Sequence, residues 1–243
     1  MFDAKRLLDQ FMGGQGGGTA NQGGQGGPAD FLKGAGGGAL AGGLVAILMG
    51  SKTGRKIGGE ALKMGGMAAV GALAYKAYRD WQSGKAPVQT SAQMPQQQNF
   101  PMLPPPSGTP FNPSTESGQQ SLARNLLRAM IAAAKADGHV DADEQARIFA
   151  EMDKLPLSSE DKAFVMDELR AKLDVDAVAA AAATPEEAAE IYTASLLSID
   201  VDNAAERGYL AMLAARLNLD DALVAHLQQT VASAAGKAAQ PVG

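Results

Sequence analysis

Hydrophobic and polar positions along this chain fall into different patterns before and after a Pro/Gln-rich middle. From residue 121 onward apolar residues recur at helical spacing. In SLARNLLRAMIAAAKAD, Leu122, Leu126, Leu127, Met130 and Ile131 share one helical face. Helix starts are marked throughout this part. Asp141 with Glu144 and Thr184 with Glu187 form capping-box pairs, the second with Pro185 at the first helical position. Ser158 or Ser159, Asp174, Asp202 and Asp220 stand where N-caps of further helices belong. No stretch alternates with period two for long enough to be a strand. The pattern predicts an all-α bundle of about seven short helices over residues 121–236.

Before residue 86 the pattern is different. Residues 2–12 place Ala4, Leu7, Leu8 and Phe11 on one face of a short amphipathic helix, ended by Gly13 and Gly14. The Gly/Gln stretch that follows predicts a flexible N-terminal region over residues 1–33. GAGGGALAGGLVAILMGS, residues 34–51, carries no charge over 18 positions. That is close to the ~20 residues that cross a bilayer core as a helix. Gly34, Gly38 and Gly42 repeat every fourth residue, as do Gly50, Gly54 and Gly58, and such stripes let helix backbones approach closely in lipid. In water each of these glycines would weaken a helix by ~1 kcal/mol relative to Ala.

A basic stretch follows (Lys52, Arg55, Lys56), then a second charge-free run, Met64–Tyr75. It ends in Tyr75, Lys76, Tyr78, Arg79 and Trp81, the aromatic and basic mixture found at membrane interfaces. Residues 34–82 are therefore expected to form a Gly-rich membrane segment, either a hairpin or one span with an interfacial helix. The excess of Lys and Arg after the first run places the C-terminal side in the cytoplasm. The competing reading is a Gly-rich soluble helical pair packed on a partner. Residues 83–120, with eight of the chain's 12 prolines, read as a disordered linker.

Composition sharpens this division. Of the 29 glycines, 23 precede residue 86. Residues 1–85 carry 10 Lys/Arg against 5 Asp/Glu, whereas residues 121–235 carry 10 against 20. An acidic body argues against nucleic acid as a partner, because phosphate contacts need concentrated Lys and Arg. The mildly basic front suits anionic membrane lipid. Cysteine is absent, which removes disulfides and thiolate metal sites. The first apolar run lies too deep for an ordinary cleaved signal.

Two places in the helical part look alike. In KADGHVDADEQARIFAEM a helix ends at Asp137, turns through Gly138 and restarts at Asp141 to Glu144. In LSIDVDNAAERGYLAML a helix ends near Asp200 and restarts at Asp202 to Glu206. These corners, with the YLAMLAARLNLD run after the second, resemble the TerB-like (tellurite-resistance) family. The Gly-rich front looks like that of YebE-type bacterial inner-membrane proteins. The resemblance implies an all-α domain with a symmetric acidic cluster for a divalent metal and a stress-linked bacterial role.

The candidate metal ligands are Asp137, Asp141, Glu144, Asp200, Asp202 and Glu206, all hard oxygen donors suited to Ca²⁺ or Mg²⁺. Against a metal, Asp141 and Asp202 serve as N-caps, and Glu144 and Glu206 favour the positive end of a helix dipole without any cation. The corners are not EF-hands, since Gly138 follows the first Asp directly. The isolated His139 and His226 make no site, and no nucleophile–base pair or phosphate loop stands out. The expected function is that of a non-enzymatic protein tethered to the bacterial inner membrane. Its acidic α-domain, on the cytoplasmic side, would bind a protein partner or a divalent cation. The alternative is a soluble homo-oligomeric adaptor that uses the glycine stripes for helix packing.

Overall fold

The structure, a computed structural model, describes residues 3–11, 66–85, 105–136, 158–199 and 204–238. Its elements there are α1 (Ala4–Phe11), α2 (Gly66–Gln82), α3 (Glu116–Ala134), α4 (Ser159–Arg170), α5 (Val175–Ala180), α6 (Pro185–Ser198), α7 (Ala204–Arg216) and α8 (Asp221–Ala238). The protein is all-α, with no strand among the described residues.

Helix α6 is the axis. Every residue from Ala188 to Ser198 is buried, because α3, α2, α8 and α7 surround it. Its polar side chains are accommodated by local bonds: Thr193 Oγ1 donates to the Ala189 carbonyl (2.7 Å) and Ser198 Oγ to that of Ala194 (2.9 Å). Tyr192 hydroxyl accepts from Gln228 of α8 (2.9 Å). The helix starts as its sequence dictates, with Thr184 accepting from the Glu187 N–H (3.1 Å) and Pro185 at the first position. The reciprocal bond is displaced by one residue, since Glu187 accepts from the Ala183 N–H rather than that of Thr184. Ser158 caps α4 with Asp161 in a full capping box, and Asp174 caps α5. Asp220 caps α8 through the Ala222 N–H (2.8 Å).

Of the run from Met64 to Tyr75, expected at a membrane, Gly66 to Tyr75 form the first half of α2, which packs inside the protein. Met67, Ala69, Val70, Ala72, Leu73, Ala74 and Ala77 are buried against α6, α8 and α1. A helix that is apolar all round needs either lipid or protein on every side, and here protein supplies it. The expected transmembrane anchor and inner-membrane location are thereby corrected: no helix among the described residues is long and apolar enough to cross a membrane. The charge-free stretch 34–51 lies outside the described residues.

The short N-terminal helix also belongs to this body. Ala4, Leu7 and Leu8 are fully covered, packed on α3 and α2. Asp3 caps α1 through the Arg6 N–H (2.9 Å) and accepts from Gln120 Nε2 of α3 (2.8 Å), while Gln120 Oε1 accepts from the Lys5 N–H (3.1 Å). The Asp3 N–H in turn donates to Asp161 (3.2 Å). An eight-residue helix is marginal alone, so these contacts hold it.

Residues 105–112 form a ledge over α2. Gly108 takes a positive φ of 83°, and its N–H donates to the Asn112 carbonyl (2.8 Å). The turn sets Phe111 edge-on to Tyr75 and Tyr78, both at 5.5 Å between ring centroids. Because α1 is part of the core, Leu8→Ala should destabilise the full chain by about 2–5 kcal/mol. A urea midpoint close to wild type would show instead that α1 is not packed as described.

Candidate functional site

Of the six acidic residues singled out from the sequence, Asp137, Asp141, Glu144, Asp200 and Asp202 lie outside the described residues. Glu206 is described: it occupies the first turn of α7, half-buried, with one carboxylate oxygen shut off from solvent. No group of three His, Asp or Glu side chains is gathered for a metal among the described residues. His226 is buried on α8 and its Nε2 bonds with the Lys85 carbonyl (2.9 Å), which ties the end of α2 to α8. Tyr209, three residues after Glu206 on α7, is buried, and burial pushes the pKa of its hydroxyl up to about 12.

What the described residues do build is a groove of about 350 Å³, between the C-terminal half of α2, the start of α6 and the α7–α8 turn. Three local features shape it. Tyr78 and Trp81, three residues apart on α2, stand side by side with ring centroids 5.4 Å apart and form one wall. Small residues, among them Ala182 and Ala188, leave the floor open. The opposite wall, Leu217 to Asp220, is fixed by a Schellman ending on α7. There Asn218 takes a φ of 52°, Leu219 N–H donates to the Ala214 carbonyl (3.0 Å) and Asn218 N–H to that of Ala215 (3.2 Å).

The groove has a charged rim. Trp81 Nε1 donates to Asp220 (3.3 Å), which closes one end. Burial, and then the neighbouring Glu186 carboxylate, raise the Tyr78 hydroxyl above its ordinary value, so it remains a neutral donor. Arg216 lines the groove but pairs with Asp176 (2.9 Å). Lys76 and Lys85 both bond to Asp80 (2.7 and 3.0 Å), bracketing the end of α2. The sequence had marked Tyr78 and Trp81 as interfacial aromatics. Their spacing after a run of small residues was the available signal, but the α7–α8 wall is a long-range partner that spacing cannot show.

Beside the groove lies a buried carboxyl. Glu190 is fully covered, neither of its oxygens has a hydrogen-bond partner, and the charge acting on it comes from Glu187, one turn earlier. Burial first, and that like charge second, push it well above the usual carboxylate range. It faces α2 at Gly71, where a Cβ would stand 3.2 Å from Glu190 Oε1, 3.1 Å from the Phe111 carbonyl oxygen and 3.2 Å from the Pro105 ring. Only glycine lets the two helices and the ledge meet this closely.

This arrangement is an all-α domain of the TerB-like class. Over residues 34–231 the chain matches the family described as "Protein of unknown function (DUF533)", and it belongs to that family. A Yersinia enterocolitica protein described as "Uncharacterized protein in ampR 5'region" is 33% identical over 96 residues, which cover 40% of this chain and 69% of that protein. No solved structure matches the chain. The finer likeness to YebE-type inner-membrane proteins finds no support in these matches.

Because the Gly71 contact includes a backbone carbonyl that cannot rotate aside, Gly71→Ala should cost about 1–3 kcal/mol in spite of alanine's better helix propensity. A stabilised Gly71→Ala variant in urea unfolding would contradict the close approach of α2 and α6.

Proposed function

We propose that this chain is a non-enzymatic binding domain. Its groove takes a short segment of a partner protein that carries apolar side chains together with Lys or Arg. The observation that supports the reading is the groove's composition: two adjacent aromatic rings over an alanine floor, rimmed by Glu186 and Asp220. Aromatic and small walls accept apolar side chains or prolyl rings, and the rim carboxylates select a positive neighbour. The groove's lining cation, Arg216, is already engaged by Asp176, so it does not offset that preference. The body that carries the groove is itself strongly acidic.

The chain's single tryptophan lines the groove, so its emission reports occupancy directly. A short Lys/Pro/Leu peptide should shift Trp81 emission, more weakly as salt is raised, while a Glu/Pro/Leu counterpart should not. Ala182→Phe, which fills the floor and keeps Trp81 the single tryptophan, should abolish binding of the basic peptide while leaving the helical fold intact. Equal binding of both peptides, or of neither, would remove this reading. A concentration-dependent emission change without peptide would assign the groove to a second copy of the chain instead.

A second reading is favoured by Glu206, whose partly shielded carboxylate opens α7 directly after the corner that holds Asp200 and Asp202 in the sequence. Together with Asp137, Asp141 and Glu144 these are ligands for Ca²⁺ or Mg²⁺. The test uses the full chain, because α1 and α2 belong to the core. Millimolar Ca²⁺ or Mg²⁺ should raise the melting temperature of the wild type and leave Glu206→Gln unchanged. An unmoved wild-type transition rules the cation out.

A further inference from the structure

The buried carboxyl and the groove share their two walls. Helix α2 carries Gly71, against which Glu190 rests, and two turns later Tyr78 and Trp81. Helix α6 carries Glu190 and, at its start, Pro185 and Ala188 of the groove. The ledge joins them: the Phe111 carbonyl meets Gly71 beside Glu190, and the Phe111 ring packs on Tyr78. The separation of α2 and α6 at Glu190 and the width of the groove are therefore set by one contact.

We propose that Glu190 is a proton-operated catch: its neutral carboxyl lets α2 and the 105–112 ledge close on α6 and keeps the groove formed, and loss of its proton to solvent drives them apart and opens it. The proposal gives a regulation to the binding groove proposed above, and in that respect rests on it.

The surroundings of Glu190 supply nothing to hold a charge. On its own helix stands Glu187, of like sign. From α2 it meets the Gly71 backbone, while Lys76 and Asp80 pair with each other and Tyr75 and Tyr78 pack on Phe111. The 105–112 ledge contains no ionisable side chain and turns a carbonyl oxygen towards the same glycine. On α3, Arg128 is committed to Glu168; on α7, Arg216 to Asp176; on α8, His226 to the Lys85 carbonyl. None of the described cations acts on the carboxyl. An ionised Glu190 would be a buried, unpaired charge, which a protein relieves by local opening that admits water.

The sign follows from linkage. The folded state binds the Glu190 proton more tightly than the unfolded chain, so its contribution to stability is complete below the ordinary glutamate value of 4.5. Above that value the ratio of closed to open molecules falls by up to about tenfold per pH unit, until pH passes the raised folded value. The opening is local where water can reach Glu190 by lifting α2 and the ledge alone.

The test uses the full chain and needs no partner. Hydrogen exchange of the α2 amides, corrected for the intrinsic rise with pH, is followed alongside Trp81 emission as pH is raised from 4.5. In the wild type, α2 protection should fall by roughly tenfold per pH unit over the window, with Trp81 emission moving to the red, while α3 protection stays level. Glu190→Gln keeps the shape without the charge and should make both readouts flat. Glu190→Leu, which also removes the unpartnered polar atoms, should do the same if the glutamine folds poorly. A wild type whose α2 protection does not change with pH, or a non-ionising variant that keeps the wild-type dependence, would overturn the catch. If emission and exchange depend on pH but the Lys/Pro/Leu peptide never binds, the catch stands and the groove's assignment as a binding site fails.

Discussion

The approach of α2 to α6 at Gly71 is the contact on which the remaining architecture depends. Helix α6 is buried from Ala188 to Ser198, so it requires an apolar neighbour on each side, and α2 is the neighbour that the chain delivers from before its proline-rich middle. At Gly71 the absence of a side chain lets the Glu190 carboxyl, the Phe111 carbonyl and the Pro105 ring converge on the space a Cβ would fill, each 3.1–3.2 Å from its position. Once that approach is made, Tyr75 and Tyr78 meet Phe111, Trp81 reaches Asp220, and Lys85 meets His226. These contacts run down α2 and tie it to the ledge, to the α7–α8 turn and to α8. The basic front of the sequence and its acidic remainder are thus partly folded into one body, with α1 and α2 contributed by the front.

Much of this was legible in the sequence because it is local. Helix boundaries follow residues whose side chains satisfy the first free N–H groups: Ser158, Asp174, Thr184 and Asp220 all cap the helices they were expected to cap. The amphipathic spacing of Ala4, Leu7 and Leu8 likewise marked the buried face of α1. What the sequence left open was what lies on the other side of an apolar face. The run from Met64 to Tyr75 has the same signature whether lipid or protein covers it, and Lys76 and Arg79 suit an interface with water in either case. The deciding partners, Glu190 and Phe111, lie far along the chain. The groove was invisible for the same reason, since its walls come from residues near 80, 185 and 220. Of the acidic corners, Glu206 alone falls on a described element, where its place in the first turn of α7 agrees with the helix dipole as well as with a cation.

Placement of function beside the weakest electrostatic point of the core has a physical logic. A neutral carboxyl with neither oxygen bonded contributes less to the interior than an aliphatic side chain of the same volume would. Glu190 therefore does not strengthen the contact it occupies. It makes that contact conditional, because an aliphatic side chain there would close α2 on α6 at every pH. The condition reaches the groove through rigid steps: a helix two turns long between Gly71 and Tyr78, and an aromatic ring, Phe111, whose own carbonyl borders the same site. A displacement at Glu190 is passed along α2 rather than absorbed, since Ala72, Leu73, Ala74 and Ala77 between the two points are buried and close-packed interiors transmit strain. The sensitivity of the core and the geometry of the binding surface are in this way one property of the α2–α6 pair.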